Sequence, residues 1–187
     1  MLTHCGTEII NTEHLILRPF KYDDIQDCLK NWIADEKIQS MYAEPVYKTT
    51  DEVKILFDKY ISSYQNNNYY RWAVIHKESN ECIGQIAFFW VDSENHFAEI
   101  EYCIGQAFQR KGLATEATKA IIDFGFNKIN LHKVQISVKE INPASRRVIE
   151  KCGFTYEGTL RDYFFSSGKY ISRLYYSLLR SEWKNQR

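Results

Sequence analysis

The chain has little that pairs, chelates or spans a membrane. Its five cysteines, Cys5, Cys28, Cys82, Cys103 and Cys152, are odd in number and form no CxxC pair. A disulfide framework and a zinc centre are both disfavoured, and free thiols in a reducing cytoplasm are expected. The histidines, His4, His14, His76, His96 and His132, lack HxxxH or similar ligand spacing, so no metal is expected. No apolar run approaches the roughly 20 residues that span a bilayer, so no membrane partner is expected. The opening Met-Leu-Thr-His-Cys-Gly has no basic region followed by an apolar core, and does not read as a secretory signal. Neither sign of charge is in excess: 24 Lys and Arg balance 24 Asp and Glu. Non-specific binding to nucleic acid needs a basic excess, so no nucleic-acid partner is expected.

What remains is material for one domain with a substantial core, residues 1–187, at 44% apolar composition. Thirteen Tyr, eleven Phe and four Trp supply either an aromatic-lined groove or an aromatic-rich core. Residues 1–11 read as a loose leader. Leu15–Arg18 reads as a strand ended by Pro19. Asp23 and Asp24 open a helix carrying Ile25, Cys28, Leu29, Trp32 and Ile33. After a loop at Ala43-Glu44-Pro45, Thr49 or Thr50 caps a second helix carrying Val53, Leu56, Phe57, Tyr60 and Ile61. The polar tract Gln65–Asn68 breaks the helical period. Tyr70–Ile75 and Ile83–Trp90 then form a hairpin about Glu78–Glu81, and His96–Ile104 adds a third strand.

The next stretch, Gln109-Arg110-Lys111-Gly112-Leu113-Ala114, joins that strand to a helix running to about Asn127. Leu113, Ala117, Ala120, Ile121 and Phe124 share one face of it. The first N–H groups of a helix lack internal partners and carry the positive end of its dipole, so an anion is held there by several amides. Gly112 leaves room for close approach, and Arg110 and Lys111 add mobile positive charge. The hexamer fits a pyrophosphate cradle, and it also fits an ordinary turn with surface cations. It lacks the Gly-Lys-Ser/Thr of a Walker A loop and the three glycines of a dinucleotide fingerprint.

Val134–Val138 reaches the preceding strand only through a helix, which implies parallel pairing there. Asn142 caps a short helix with Pro143 at its first position and Gly153 at its end. Phe154–Phe165 and Tyr170–Leu179 close the chain as a hairpin about Ser166-Ser167-Gly168. The fold class is α/β: one mixed, mostly antiparallel sheet with a parallel central pair and helices on both faces.

Taken together, Gln109–Ala114, Asn142-Pro-Ala-Ser…Lys-Cys-Gly-Phe154, Leu15-Ile-Leu-Arg-Pro-Phe20, Glu157–Arg161 and the tail Tyr176–Trp183 resemble the GNAT superfamily of acetyl-CoA-dependent acetyltransferases, of the RimJ/RimL type. The resemblance covers residues 13 to 184. It implies a sheet splayed between its fourth and fifth strands to hold coenzyme A. Strand backbone at Tyr102, Cys103 and Ile104 would bond the pantetheine arm. Gln109, Arg110, Lys111, Gly112, Leu113, Ala114 and Thr115 would hold the pyrophosphate. Asn142 would contact the pantetheine or act only as a cap, and Ser145 would sit near the thiol or be only a first-turn residue.

The implied activity is acetyl transfer from acetyl-CoA, as co-substrate, to a primary amine: a protein N-terminus or a small molecule. A CoA-binding regulatory module without turnover is the alternative, and the state is monomer or homodimer. Transfer needs a proton acceptor for the ammonium and stabilisation of the departing thiolate. Glu101, then Glu99, are the nearest carboxylates, two apart on one strand face, which as a plain polar face would be solvated. Two positions depart from the family pattern: Ile149 stands at the place of a general-acid tyrosine, and Phe164 at that of a sixth-strand glutamate. Asp162 and Tyr163 lie beside Phe164 as substitutes, and Cys103 reads as a packed thiol.

Overall fold

Alternating apolar and polar residues set most of the strands, and the computed structural model, which describes residues 1–42, 44–166 and 168–185, joins eight of them in one sheet. They are β1 (Ile10–Asn11), β2 (Leu15–Arg18), β3 (Tyr70–His76), β4 (Cys82–Asp92), β5 (Phe97–Ile104), β6 (Lys133–Lys139), β7 (Thr155–Ser166) and β8 (Lys169–Leu179). Their order is β1-β2-β3-β4-β5-β6-β8-β7. Only β5 and β6 pair in parallel. The helix between them is α4 (Leu113–Phe124), extended by a wider turn at Gly125–Ile129.

Helices cover both faces. On one, α4 packs Leu113, Ala117 and Ile121 against Trp72, Ile86, Ile100 and Ile136. The short α5 (Pro143–Lys151) adds Ile149, which is fully buried and so belongs to the core. On the other face, α1 (Ile25–Cys28) runs through a wide turn at Leu29–Ile33. It is followed by α2 (Glu36–Tyr42) and α3 (Thr50–Ser63). Phe20, Cys28, Trp32, Val53 and Phe57 pack there against Ala73, Ile75 and Cys103. Thr49 rather than Thr50 caps α3: its hydroxyl accepts from Glu52 N–H, and the Glu52 carboxylate accepts from Thr49 N–H. A final helix, α6 (Arg180–Asn185), buries Trp183.

Two expectations change. Residues 1–11 are not loose. Cys5 N–H donates to the Tyr70 hydroxyl, the Trp72 indole donates to the Glu8 carbonyl, and β1 pairs with β2. These bonds satisfy polar groups of β3 that lie under the apolar layer. The helix α2 was not expected, because Glu36–Tyr42 holds only one short apolar set, Ile38, Met41 and Tyr42. Of the two expected loops, Ala43 and Ser167 lie outside the described residues, and Glu44 and Pro45 form a connection.

The parallel pair is short. Phe97–Ile100 pairs with Lys133–Ile136 and no further, although β5 continues to Ile104 and β6 to Lys139. Each strand is held on its outer side instead. β4 follows β5 as far as Ile104, and β8 follows β6 as far as Lys139. The sheet therefore opens between Glu101–Ile104 and Ser137–Lys139. Gly84 is what lets β4 lie so close to β5: a Cβ on it would meet the Cys103 carbonyl at 2.2 Å and the Ile104 Cα at 3.0 Å. Both are backbone atoms that cannot rotate away. Gly84→Ala is expected to destabilise the fold by about 2 kcal/mol or more, in the range for overpacking, as measured by urea unfolding.

Candidate active site

The opening exposes one edge of β5. In an antiparallel ladder, alternate residues direct both peptide groups at the partner strand. Gly105 N–H bonds the Ile83 carbonyl at 2.7 Å, and the register pairs Gln85 with Cys103 and Ala87 with Glu101. Cys103 and Glu101 thus direct their peptide groups to β4, while Tyr102 and Ile104 direct theirs into the gap. This corrects the expectation for Cys103, whose backbone is committed to the β4 ladder. Its thiol is buried, and burial pushes its pKa up, so it is a packed thiol and not a nucleophile. The Ile104 carbonyl accepts from Gln109 Nε2 at 2.9 Å, which ties the following loop to the strand. The Tyr102 peptide group and the Ile104 N–H remain for an extended partner.

The loop enters α4 through two left-handed residues, Arg110 at φ 63° and Gly112 at φ 84°. A non-glycine residue in this region is held there at some cost, and such residues gather at ligand sites. Nothing lies within 4 Å of a Cβ built on Gly112. No side chain caps α4, unlike α5, whose Ser145 N–H is capped by Asn142 Oδ1 at 3.1 Å. The first amides of α4 thus face open space. Arg110 and Lys111 are exposed, and Lys111 Nζ lies 5.2 Å from the centre of the Phe108 ring.

One cleft of about 1100 Å³ connects these features. Gln109, Arg110 and Gly112 line it with Leu113, Ala114 and Thr115 from the first turn of α4. Tyr102, Cys103 and Ile104 line its β5 wall, and Asn142 and Ser145 its α5 wall. Glu101 lines it too, whereas Lys111 and Glu99 do not. Tyr102 Oη and Ser145 Oγ meet at 3.0 Å, which links β5 to α5 across the opening. Burial raises the Tyr102 pKa, so that hydroxyl keeps its proton. Sequence reasoning valued Tyr102 only for its backbone and missed this pairing.

The other face of the sheet is lined by different chemistry. Glu101 Oε1 accepts from Arg71 at 2.5 Å, and Arg71 also donates to Gln85 Oε1 and lies over the Tyr60 ring. Glu99 is closed in. Arg173 and the Ser137 hydroxyl bond its Oε1, at 2.9 and 2.8 Å, and Gln135 bonds its Oε2 at 3.0 Å. The two carboxylates do share a strand face, but it is not a solvated one, and only Glu101 reaches the cleft. Three lining groups had not been singled out: Tyr42, whose buried hydroxyl has no partner among the described residues; Lys139; and Arg173. The polar alternation Gln135, Ser137, Lys139 in an otherwise apolar strand was the readable signal. Phe164 lines the cleft, with Lys139 Nζ 4.8 Å from its ring centre, while Asp162 and Tyr163 are exposed and do not.

A splayed parallel pair, an uncapped glycine-led helix and an unpaired strand edge in one cleft define a protein that takes up a long phosphorylated carrier molecule. Residues 14–155 match the Acetyltransferase (GNAT) domain model, and the chain belongs to that family. It is an N-acetyltransferase by family, with the GNAT fold. It is similar to an uncharacterized N-acetyltransferase p20 of Bacillus licheniformis, 32% identical over 94% of this chain and 98% of the relative. A spermidine N(1)-acetyltransferase of Vibrio cholerae is 29% identical over 92% of this chain and 96% of its own. A crystal structure of spermidine N-acetyltransferase from Vibrio cholerae, in complex with CoA and spermine, superposes with a TM-score of 0.80. It is 28% identical and covers 93% of this chain and 100% of its own. These relatives give no support to the alternative of a non-catalytic module. Among the described residues no group of acids, histidines and cysteines could hold a metal, and no helix is long and apolar enough to cross a membrane.

The Glu99–Arg173 pair makes the sharpest demand on stability. Arg173→Ala leaves a carboxylate whose side chain is 4% exposed without its cation. A loss of about 3 kcal/mol or more is expected in denaturant unfolding, because the buried charge stays behind. Arg173→Ala combined with Glu99→Gln is expected to lose clearly less than the sum of the two single changes.

Proposed function

We propose that the chain passes an acetyl group from acetyl-CoA directly to a primary amine. The observation that carries this is the unpaired edge of β5 beside the uncapped start of α4, in one cleft. The edge suits an extended amide-bearing arm such as pantetheine, which would complete the ladder at Tyr102 and Ile104. The amides from Arg110 to Thr115 suit a pyrophosphate, with Arg110 and Lys111 as mobile counter-charges. Asn142, already the cap of α5, has its amide nitrogen left for the arm. The bound thioester supplies the acetyl group. The residues of this chain align it, exclude water and move protons.

On the α4 and α5 face, the Tyr102 hydroxyl, held by Ser145, is the proton donor for the leaving sulfur. It takes the role left vacant by the buried Ile149. On the opposite face Glu101 is the proton acceptor for the ammonium, through a water molecule, with Arg71 fixing its carboxylate. Glu99 positions Arg173 and Ser137 and does not itself take the proton. Much of the rate then comes from orientation in the cleft. The acceptor is a small molecule or a protein N-terminal amine. The Asn142–Phe154 and Leu15–Phe20 segments support the RimJ/RimL type. The free-thiol composition suits a cytoplasmic enzyme, as monomer or homodimer.

The test is acetyl-CoA turnover, followed by thiol release, across peptides with varied N-termini and a set of small amines. Tyr102→Phe is expected to lower kcat about 100-fold with little change in KM, the typical worth of a positioned general acid. Gly112→Asp is expected to raise the Kd for CoA by about tenfold or more, since it adds bulk and negative charge at the helix start. Unchanged CoA affinity in that variant, by calorimetry, would overturn the assignment of the loop.

A further inference from the structure

We infer that Lys139 makes the acceptor side of the cleft select a primary amine that also carries a carboxylate, and reject polyamines. This rests on the acetyl-transfer reading above. Lys139 is the last residue of β6, three beyond the final β5–β6 pair, so it stands about 10 Å past the point where the strands part. Its side chain is on the face of Ser137 and Glu99, the face from which the amine would approach. The residue is 8% exposed and lines the cleft. Its ammonium donates to the Ser40 carbonyl at 2.5 Å and lies against the Phe164 ring. Among the described residues no carboxylate is within ion-pair distance of it, and an ammonium has three protons to give. A buried cation without an anion is costly, and a ligand that brings the anion removes that cost. Burial lowers the Lys139 pKa, as expected of a cation left without a counter-charge.

Two carboxylates of that region are held by arginines. Glu99 is held by Arg173, and Glu101 by Arg71. Asp35 accepts from the N–H groups of Lys37 and Ile38 at the start of α2. Glu44 stands on the exposed rim and does not line the cleft, and burial together with the nearby Glu101 raises its pKa. A second ammonium placed beside Lys139 would meet a like charge. A carboxylate at the same place would meet two free N–H donors of Lys139.

The experiment uses the full chain saturated with acetyl-CoA and acceptors matched in length. These are ω-amino acids from glycine to 6-aminohexanoate, the corresponding alkylamines and diamines, and spermidine. Short peptides with Asp, Ala or Lys as second residue test the protein N-terminus as the source. The carboxylate member of each set is expected to exceed its diamine in kcat/KM by about tenfold or more, the worth of one charge-assisted bond. Lys139→Met and Lys139→Gln are expected to erase that preference by raising KM, with kcat and CoA affinity kept. Lys139→Glu is expected to reverse it. A diamine or spermidine used as well as the carboxylate, or a preference unchanged in Lys139→Met, would overturn the inference. Calorimetric binding of the same amino acids to the CoA complex keeps the two readings separate. Binding lost in Lys139→Met, without turnover of any amine, supports the Lys139 site and refutes transfer. Turnover without such binding refutes the Lys139 site alone.

Discussion

Everything at this site depends on β5 and β6 ceasing to pair after Ile100 and Ile136. Backbone N–H and C=O groups need partners, and a strand edge inside a protein is normally filled. Here β4 and β8 hold the two strands on their outer sides right to their ends, so neither can bend across to close the gap. The gap is thus rigid, and its unmet hydrogen bonds belong to Tyr102 and Ile104. A ligand that supplies an extended amide backbone completes the sheet with little reorganisation, which is why the fold suits a carrier with such an arm.

The same opening separates two chemistries. Side chains of a strand alternate, so even-numbered residues of β5 face α4 and α5, and odd-numbered ones face α2. Tyr102 and Ser145 therefore meet on one side, where a leaving thiolate would need a proton. Glu101, Glu99, Arg173, Tyr42 and Lys139 gather on the other. The Tyr102 hydroxyl and the Glu101 carboxylate thus stand on opposite faces of the sheet. On the acceptor side Glu99 and Glu101 are paired with arginines, while Lys139 has no carboxylate partner among the described residues.

Local signals in the sequence were read well wherever they were self-contained. The period of α4, the Asn142 cap followed by Pro143, and the strand pattern of β3 to β6 are decided by neighbours a few residues apart. The glycine at 112 was legible because a residue without a side chain leaves room at a helix start, and its backbone there is left-handed. Arg110 adopts the same region, which no composition rule announces. The helix α2 was missed because its apolar residues, Ile38, Met41 and Tyr42, make up only a single i, i+3, i+4 set in a seven-residue helix. The leader was misjudged because its bonds run to Tyr70 and Trp72, some sixty residues away.

What the sequence determined by itself is the order of strands and helices, the phosphate-type loop, and so the membership in a family of acetyltransferases. The elements follow from spacing within a short window, where propensity, capping and polarity act locally, and the family from the resemblance of several motifs along the chain. Tertiary structure alone decided the surroundings of each polar group in the cleft. It closed Glu99 inside a charge network, tied Glu101 to Arg71, turned the Cys103 backbone toward β4 and set the Tyr102 hydroxyl against Ser145. It also left Lys139 buried without an acid. These outcomes depend on contacts between segments tens of residues apart, and a side chain's charge and hydrogen bonds are set by those contacts, not by its neighbours in sequence.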